Sequence, residues 1–202
     1  MGDLALFLVV GAAAVVAGRL RGGALRGLRE AAVRGWPFAL AGLALQALVG
    51  VLPPAGPLGA VLLVAALVTL LGVVRANGRL AGAPLLALGL LANLLVVVAN
   101  AGMPVPAATL ERAGVAVARP IPPRPDAEHV LAGPATRLGP LGDRLAVRPL
   151  RTVTSLGTVT ELAGLFLLVQ SLLVAAAPTR RRDGPAHGAH EARTVPWTTW
   201  AD

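Results

Sequence analysis

Apolar stretches close to bilayer-spanning length recur along this chain, and clusters of Arg, Pro or Gly break each of them off. About 20 such residues carry a helix across hydrocarbon, so this spacing restricts the chain to a membrane bundle more tightly than any motif does. Five runs are legible. The first, residues 4–17, covers only roughly 21 Å as a helix, so residues 18–20 are expected to extend it. The second opens at "GWPFAL", where Trp36 suits the headgroup level and Pro37 the first helical turn, and ends at the "LPPAGP" hairpin of residues 52–57. The third covers residues 58–74 and the fourth runs from Pro84 to Asn100. The last begins near Thr158 and stops before "PTRRRDG", residues 178–184.

Composition supports the same class. Of 202 residues 55% are hydrophobic and 14% charged, too little polar surface for a soluble domain of this length. Mean hydropathy is +0.72. With no Cys, disulfides and thiolate metal sites are excluded. A net charge of +8 raises nucleic acid as a partner, but the arginines lie in loops beside apolar runs. There they set topology and meet anionic lipid, so the lipid bilayer is the expected partner and nucleic acid is not.

Charge also orients the chain. Arg19, Arg21, Arg26, Arg29 and Arg34 follow the first run, Arg75 and Arg79 follow the third, and Arg180, Arg181 and Arg182 follow the last. These fall on one side, the cytoplasm, and Asp3, the hairpin and residues 101–156 fall on the other. Positive charge behind the first run argues for a retained helix rather than a cleaved leader. The outer segment carries seven arginines against four acids, which opposes this orientation, but it approaches the length at which loop charge stops deciding. The expectation is a cell-membrane protein with its N-terminus outside and C-terminus inside. The similar links "GRLRGGAL" and "GRLAGAPL" suggest a duplicated helix pair no more strongly than they suggest coincidence in such a composition.

Residues 107–113 read as a short helix with Thr109, Glu111 and Arg112 exposed, "ARPIPPRPD" as extended, and residues 129–150 as turns or brief strands. The tail, with "HGAHE" at residues 187–191, reads as disordered apart from Trp197 and Trp200, which suit contact with the membrane surface. Asn93 and Asn100, two turns apart on one helix, share a face, with Gln46 and Gln170 as candidate partners. Interhelical hydrogen bonding is the favoured reading of these groups, and a polar track the functional one. After Asn100, Gly102 can take the left-handed conformation that closes a helix and Pro104 prevents its continuation. "TVTE", Thr158 to Glu161, matches a capping box before an apolar run, which outweighs a catalytic carboxylate. His129 with Asp126, Glu128 and Asp143 is a candidate acid–base or metal cluster without a recognised ligand spacing. No phosphate loop, dinucleotide fingerprint, nucleophile elbow or pair of catalytic acids appears, and no catalytic, cofactor or metal residue is assigned.

"NAGMPV" (residues 100–105), "HVL" (129–131), "TRL" (136–138), "LGD" (141–143) and "SLGT" (155–158) stand in the order of motifs in a known family. The chain resembles a family of small bacterial multi-pass membrane proteins, domain of unknown function 5317, over roughly residues 1–177. Two departures stand out. The turn after Asn100 is one residue shorter, and Thr158 stands where the family carries an acid at the start of the last helix. The resemblance implies a multi-pass protein with an outer face of functional interest, and it implies no reaction.

The expected fold is all-α, a bundle of about five transmembrane helices with an irregular extracytoplasmic cap between the last two. It divides into residues 1–100, the cap 101–157, the final helix 158–177 and a cytoplasmic tail 178–202. Two functions compete. One is a non-catalytic membrane subunit or scaffold presenting the cap to a membrane-protein partner or a second copy. The other is a transporter or membrane enzyme with a polar pocket at the outer interface, drawn from Asn93, Asn100, Gly102, Met103, Pro104, His129 and Asp143, with Thr158 and Glu161 as capping residues. The first is favoured on sequence, because no motif for chemistry is present.

Overall fold

The structure is a computed structural model that describes residues 2–52, 57–116 and 121–175. The "LPPAGP" tip, Arg119 and the tail with its arginines, histidines and tryptophans lie outside the described residues. Five long helices are α1 (Gly2–Leu20), α3 (Trp36–Val49), α4 (Pro57–Ala76), α5 (Ala83–Asn100) and α7 (Leu156–Ala175), with the five-residue α2 (Arg26–Glu30) between the first two. Three of them, at 57–76, 83–100 and 156–174, are long and apolar enough to cross a membrane. Leu4–Leu20 and Trp36–Val49 are apolar but shorter.

Local sequence explains where the helices begin and end. Gly35 and Gly82 take left-handed conformations just before α3 and α5, and each of those helices carries Pro in its first turn. That position needs no N–H. At the far end of α5 the residue in the left-handed conformation is Ala101 (φ 53°), where Gly102 was expected. Gly102 has φ 150° and serves a different need. A Cβ there would sit 2.8 Å from the Val130 side chain and 3.2 Å from the Glu128 carbonyl, so glycine admits the close approach of a later strand.

The bundle forms an arc in which α3 packs on α4, α4 on α5, α5 on α7, and α7 on α1. Small residues make the α5–α7 seam. Gly82 abuts Gly164 and Gly89 abuts Gly157, so the two helices run antiparallel with their backbones in near contact. Leu63, Leu67, Leu90, Val96, Val97 and Met103 form the core between α4, α5 and the segment that follows. Gln170 donates to the Ala14 carbonyl at 2.6 Å and ties α7 to α1.

The described residues of the 101–155 segment fold onto the end of the bundle opposite that of Arg26, Arg29, Arg75 and Arg79. Strand β1 (Met103–Val105) pairs in parallel with β2 (His129–Leu131), and β3 (Leu145–Val147) pairs antiparallel with β4 (Thr152–Thr154). Helix α6 (Ala107–Ala113) covers Val105 and Val153 through Leu110 and Ala113. Its bounds match the expectation, but Thr109 is buried and accepts a hydrogen bond from Arg112. The reason is the i to i+4 spacing from Thr109 to Ala113, which puts both on the packed face.

Two Asn side chains close helices by the same device. Asn100 donates to the Val96 and Arg137 carbonyls and accepts from the Arg137 N–H, each at 2.8 Å. Asn77, just past α4, donates to the Val73 and Arg34 carbonyls and accepts from the Arg34 N–H. Each amide thus satisfies a terminal carbonyl and pins a distant loop in extended register.

Candidate functional site

At the cap end of the arc, α7 begins two residues before the expected start. Ser155 accepts the Thr158 N–H at 2.9 Å and is the capping side chain. Thr158 and Glu161 therefore lie inside the helix, and the capping box expected of them does not form. Their side chains turn inward instead. Asn93, 5% exposed on α5, donates to Glu161 at 2.8 Å and to Thr158 at 3.2 Å, and accepts from Ser155 at 2.8 Å. Gln46 and Gln170, the expected partners of Asn93, do not bond it. The near contact at Gly157 explains this, since a Cβ there would overlap the Asn93 amide.

Strand β1 places a second set of groups above this network. Met103 donates its N–H to the Glu128 carbonyl, and the Pro104 carbonyl accepts the Asp143 N–H, both at 2.9 Å. Gly59 leaves room for the Ala127 backbone against α4. Asp126 Oδ1 accepts the backbone N–H groups of Glu128 and His129, forming a turn that aims the imidazole. His129 Nδ1 lies 2.8 Å from Asp126 Oδ2, and Nε2 lies 2.8 Å from Asp143 Oδ2. Both ring nitrogens face carboxylates, so the imidazolium is the form that donates to both.

Electrostatics follow this geometry. Burial would lower the His129 pKa, but hydrogen bonds to Asp126 and Asp143 and the charge of Glu128 outweigh it and raise it well above 6.5. Burial would raise Asp126, yet its bonds to His129 and that cation bring it down to about 2. Glu128 goes the other way. Burial lifts it above 4.5, the His129 cation opposes, and the charges of Asp143 and Asp126 add to the rise. No hydrogen bond to its carboxylate comes from any described residue.

These groups surround a cavity of about 300 Å³. Asn93, Thr158, Glu161, Glu128, Asp143 and Gln46 supply its polar wall. Leu4, Phe7 and Leu8 of α1 face Leu43, Ala47 and Val51 across it, and Leu63, Leu67, Val97 and Met103 complete it. Helices α1 and α3 form no packed seam with each other, so the cavity fills the open side of the arc. Of the candidate residues read from sequence, Asn93, Met103 and Asp143 line it, and His129 touches it through Asp143. Asn100, Gly102 and Pro104 stand outside it and hold the cap. Sequence reading did not assign Glu128 and Glu161 to a pocket. The nearest signal was "PDAEHV", where Asp126 three residues before His129 marks a turn.

Among the described residues, no three His, Asp or Glu side chains converge closely enough to hold a metal ion. No curated protein and no solved structure matches the chain. The features that carry this arrangement, the Asn100 stop, the Met103–Val105 strand, the His129 strand and the Ser155 cap, are those on which the family resemblance rested. A family description, Family of unknown function (DUF5317), matches residues 31–170, more than half of the 202-residue chain, and the chain belongs to that family.

Proposed function

We propose that this is a five-helix inner-membrane protein, N-terminus outside, whose cap end is extracytoplasmic and whose cavity binds a small molecule entering from the outer leaflet, as a transporter or a lipid-handling protein does. The cavity carries the reading: its polar wall unites α5, α7 and the cap, and its apolar wall spans the gap between α1 and α3. A concave, mostly apolar space with a few convergent polar groups and displaced pKa values is the general form of a ligand site. The natural lack of Cys makes the test direct. Gln46→Cys, on the cavity wall, should react with a charged thiosulfonate added to intact cells, whereas Leu91→Cys on the outward face should not. Equal inertness of both positions would remove the reading.

The second reading is a non-catalytic subunit or scaffold. It draws on Leu138 and Leu145, exposed on the cap at 46% and 40%, which a protein partner or a second copy would cover. Cross-linking from Leu145 in native membranes should then recover one defined partner. Recovery of the uncrosslinked chain alone counts against it.

A further inference from the structure

We infer that the cavity takes a positively charged amphiphile, an organic ammonium head on a hydrocarbon chain, with the head against Asp143 and Glu128 and the chain against α1 and α3. This deepens the cavity reading proposed above and rests on it. Asp143 is 2% exposed, yet it lines the cavity. Its Oδ2 is taken by His129, and its Oδ1 accepts no hydrogen bond from any described residue. The Glu128 carboxylate, also on the wall, has no hydrogen-bond donor among the described residues. Among the described residues no Arg lines the space, although the outer segment of the chain carries seven. Glu128 is half-buried and His129 already serves Asp126 and Asp143, so a carboxylate on this largely apolar wall is left without a donor, and a bound cation is what relieves it.

The rest of the wall selects the kind of cation. Among the described residues the acidic and histidine side chains do not converge as metal ligands do, so a compact ion finds no coordination shell there. The opposite wall, Phe7, Leu8, Leu43, Ala47 and Val51, is hydrocarbon, with the neutral Gln46 amide of α3 beside it. A volume of about 300 Å³ is at the lower end for a ligand pocket, enough for a head and its first carbons, with the remaining chain directed through the α1–α3 gap into lipid. An anionic head meets the carboxylates of Asp143, Glu128 and Glu161 there, and the His129 cation is already held between Asp126 and Asp143.

The experiment uses the full chain in nanodiscs of zwitterionic lipid, with empty discs subtracted, and calorimetric titration of three probes sharing one decyl chain. Decyltrimethylammonium should bind saturably, one per chain, at least about tenfold more tightly than decyl sulfate or decyl maltoside. Glu128→Gln should weaken the ammonium probe by about fivefold or more with no loss of melting temperature. Asp143→Asn, which keeps its backbone bond to Pro104, is the second variant, and Ala47→Phe should abolish binding by filling the apolar wall. Like affinity for all three probes, or preference for the sulfate, overturns the charge assignment and leaves the cavity reading standing. Absence of saturable binding, with Gln46→Cys still labelled from outside, overturns this inference alone. Absence of both overturns the cavity reading with it.

Discussion

At the residue scale, the Asp126–His129–Asp143 array and Glu128 make stability depend on pH in opposite ways at the two ends of the range. His129 has a raised pKa, so its contribution is fully present below 6.5 and is lost as pH rises through its folded value. Asp126 is lowered to about 2, so its contribution is present above 3.8 and fades as pH falls toward 2. Glu128 is raised, so its ionisation costs stability as pH climbs past 4.5. Stability should therefore peak between roughly pH 4 and 6 and decline toward alkali. Glu128→Gln should melt higher than wild type at pH 8 and much the same at pH 4. His129→Gln should melt lower at pH 6, with the gap closing as pH rises. Thermal unfolding in detergent reads both, and a Glu128→Gln protein no more stable than wild type at pH 8 would show that its charge is not penalised. A group that destabilises the resting fold at a cavity wall is the pattern expected where binding, rather than folding, needs it. His129, Asp126, Glu128 and Asp143 were legible as a cluster in the sequence. Glu128 as its cavity-facing member was not, because the Asp126 turn decides which of the neighbouring side chains turns inward.

At the scale of elements, the α5–α7 seam governs whether the polar floor exists. Asn93 reaches Glu161 only because Gly89 and Gly157 let the two backbones approach. A Cβ on Gly89 would meet the Glu161 Cγ and the Gly157 carbonyl at 2.5 Å, both parts of a packed helix that cannot swing away. Gly89→Leu should cost about 1–3 kcal/mol and loosen the floor of the cavity. Gly11→Leu, with nothing within 4 Å of its Cβ position, should be near neutral. Denaturant or thermal unfolding of the two variants separates them, and equal stability would contradict the close packing. Helix ends were readable from Pro37, Pro84 and the arginines. The seam was not, because a helix apolar on every side carries no periodic stripe to mark its packed face. The early start of α7 was missed for a related reason. Ser155 and Thr158 are both good caps by composition, and only the burial of Ser155 beside Asn93 selects between them.

At the scale of the molecule, the arc from α3 through α4, α5 and α7 to α1 leaves one open side, and the cap covers one end of it. The orientation we infer predicts that Leu145→Cys, exposed on the cap, is labelled by an impermeant reagent on intact cells. Arg79→Cys, in the loop at the opposite end, should be labelled only after permeabilisation. The reverse pattern would turn the bundle over and put the cavity on the cytoplasmic leaflet.

Hydropathy and punctuation by themselves determined that the chain is multi-pass, roughly where each rod starts and stops, and that the 101–155 segment is the place for structure outside the rods. Those properties are local: a run of apolar side chains, a proline without an N–H and a row of arginines act within a turn or two of where they stand. Tertiary structure alone decided that Asn93 meets Glu161, 68 residues away, and that β1 hangs Glu128 and Asp143 over the same space. Lipid solvates every apolar face equally well, so pairing between rods is settled by close backbone contact and buried hydrogen bonds, and those depend on which residues meet rather than on how they are spaced.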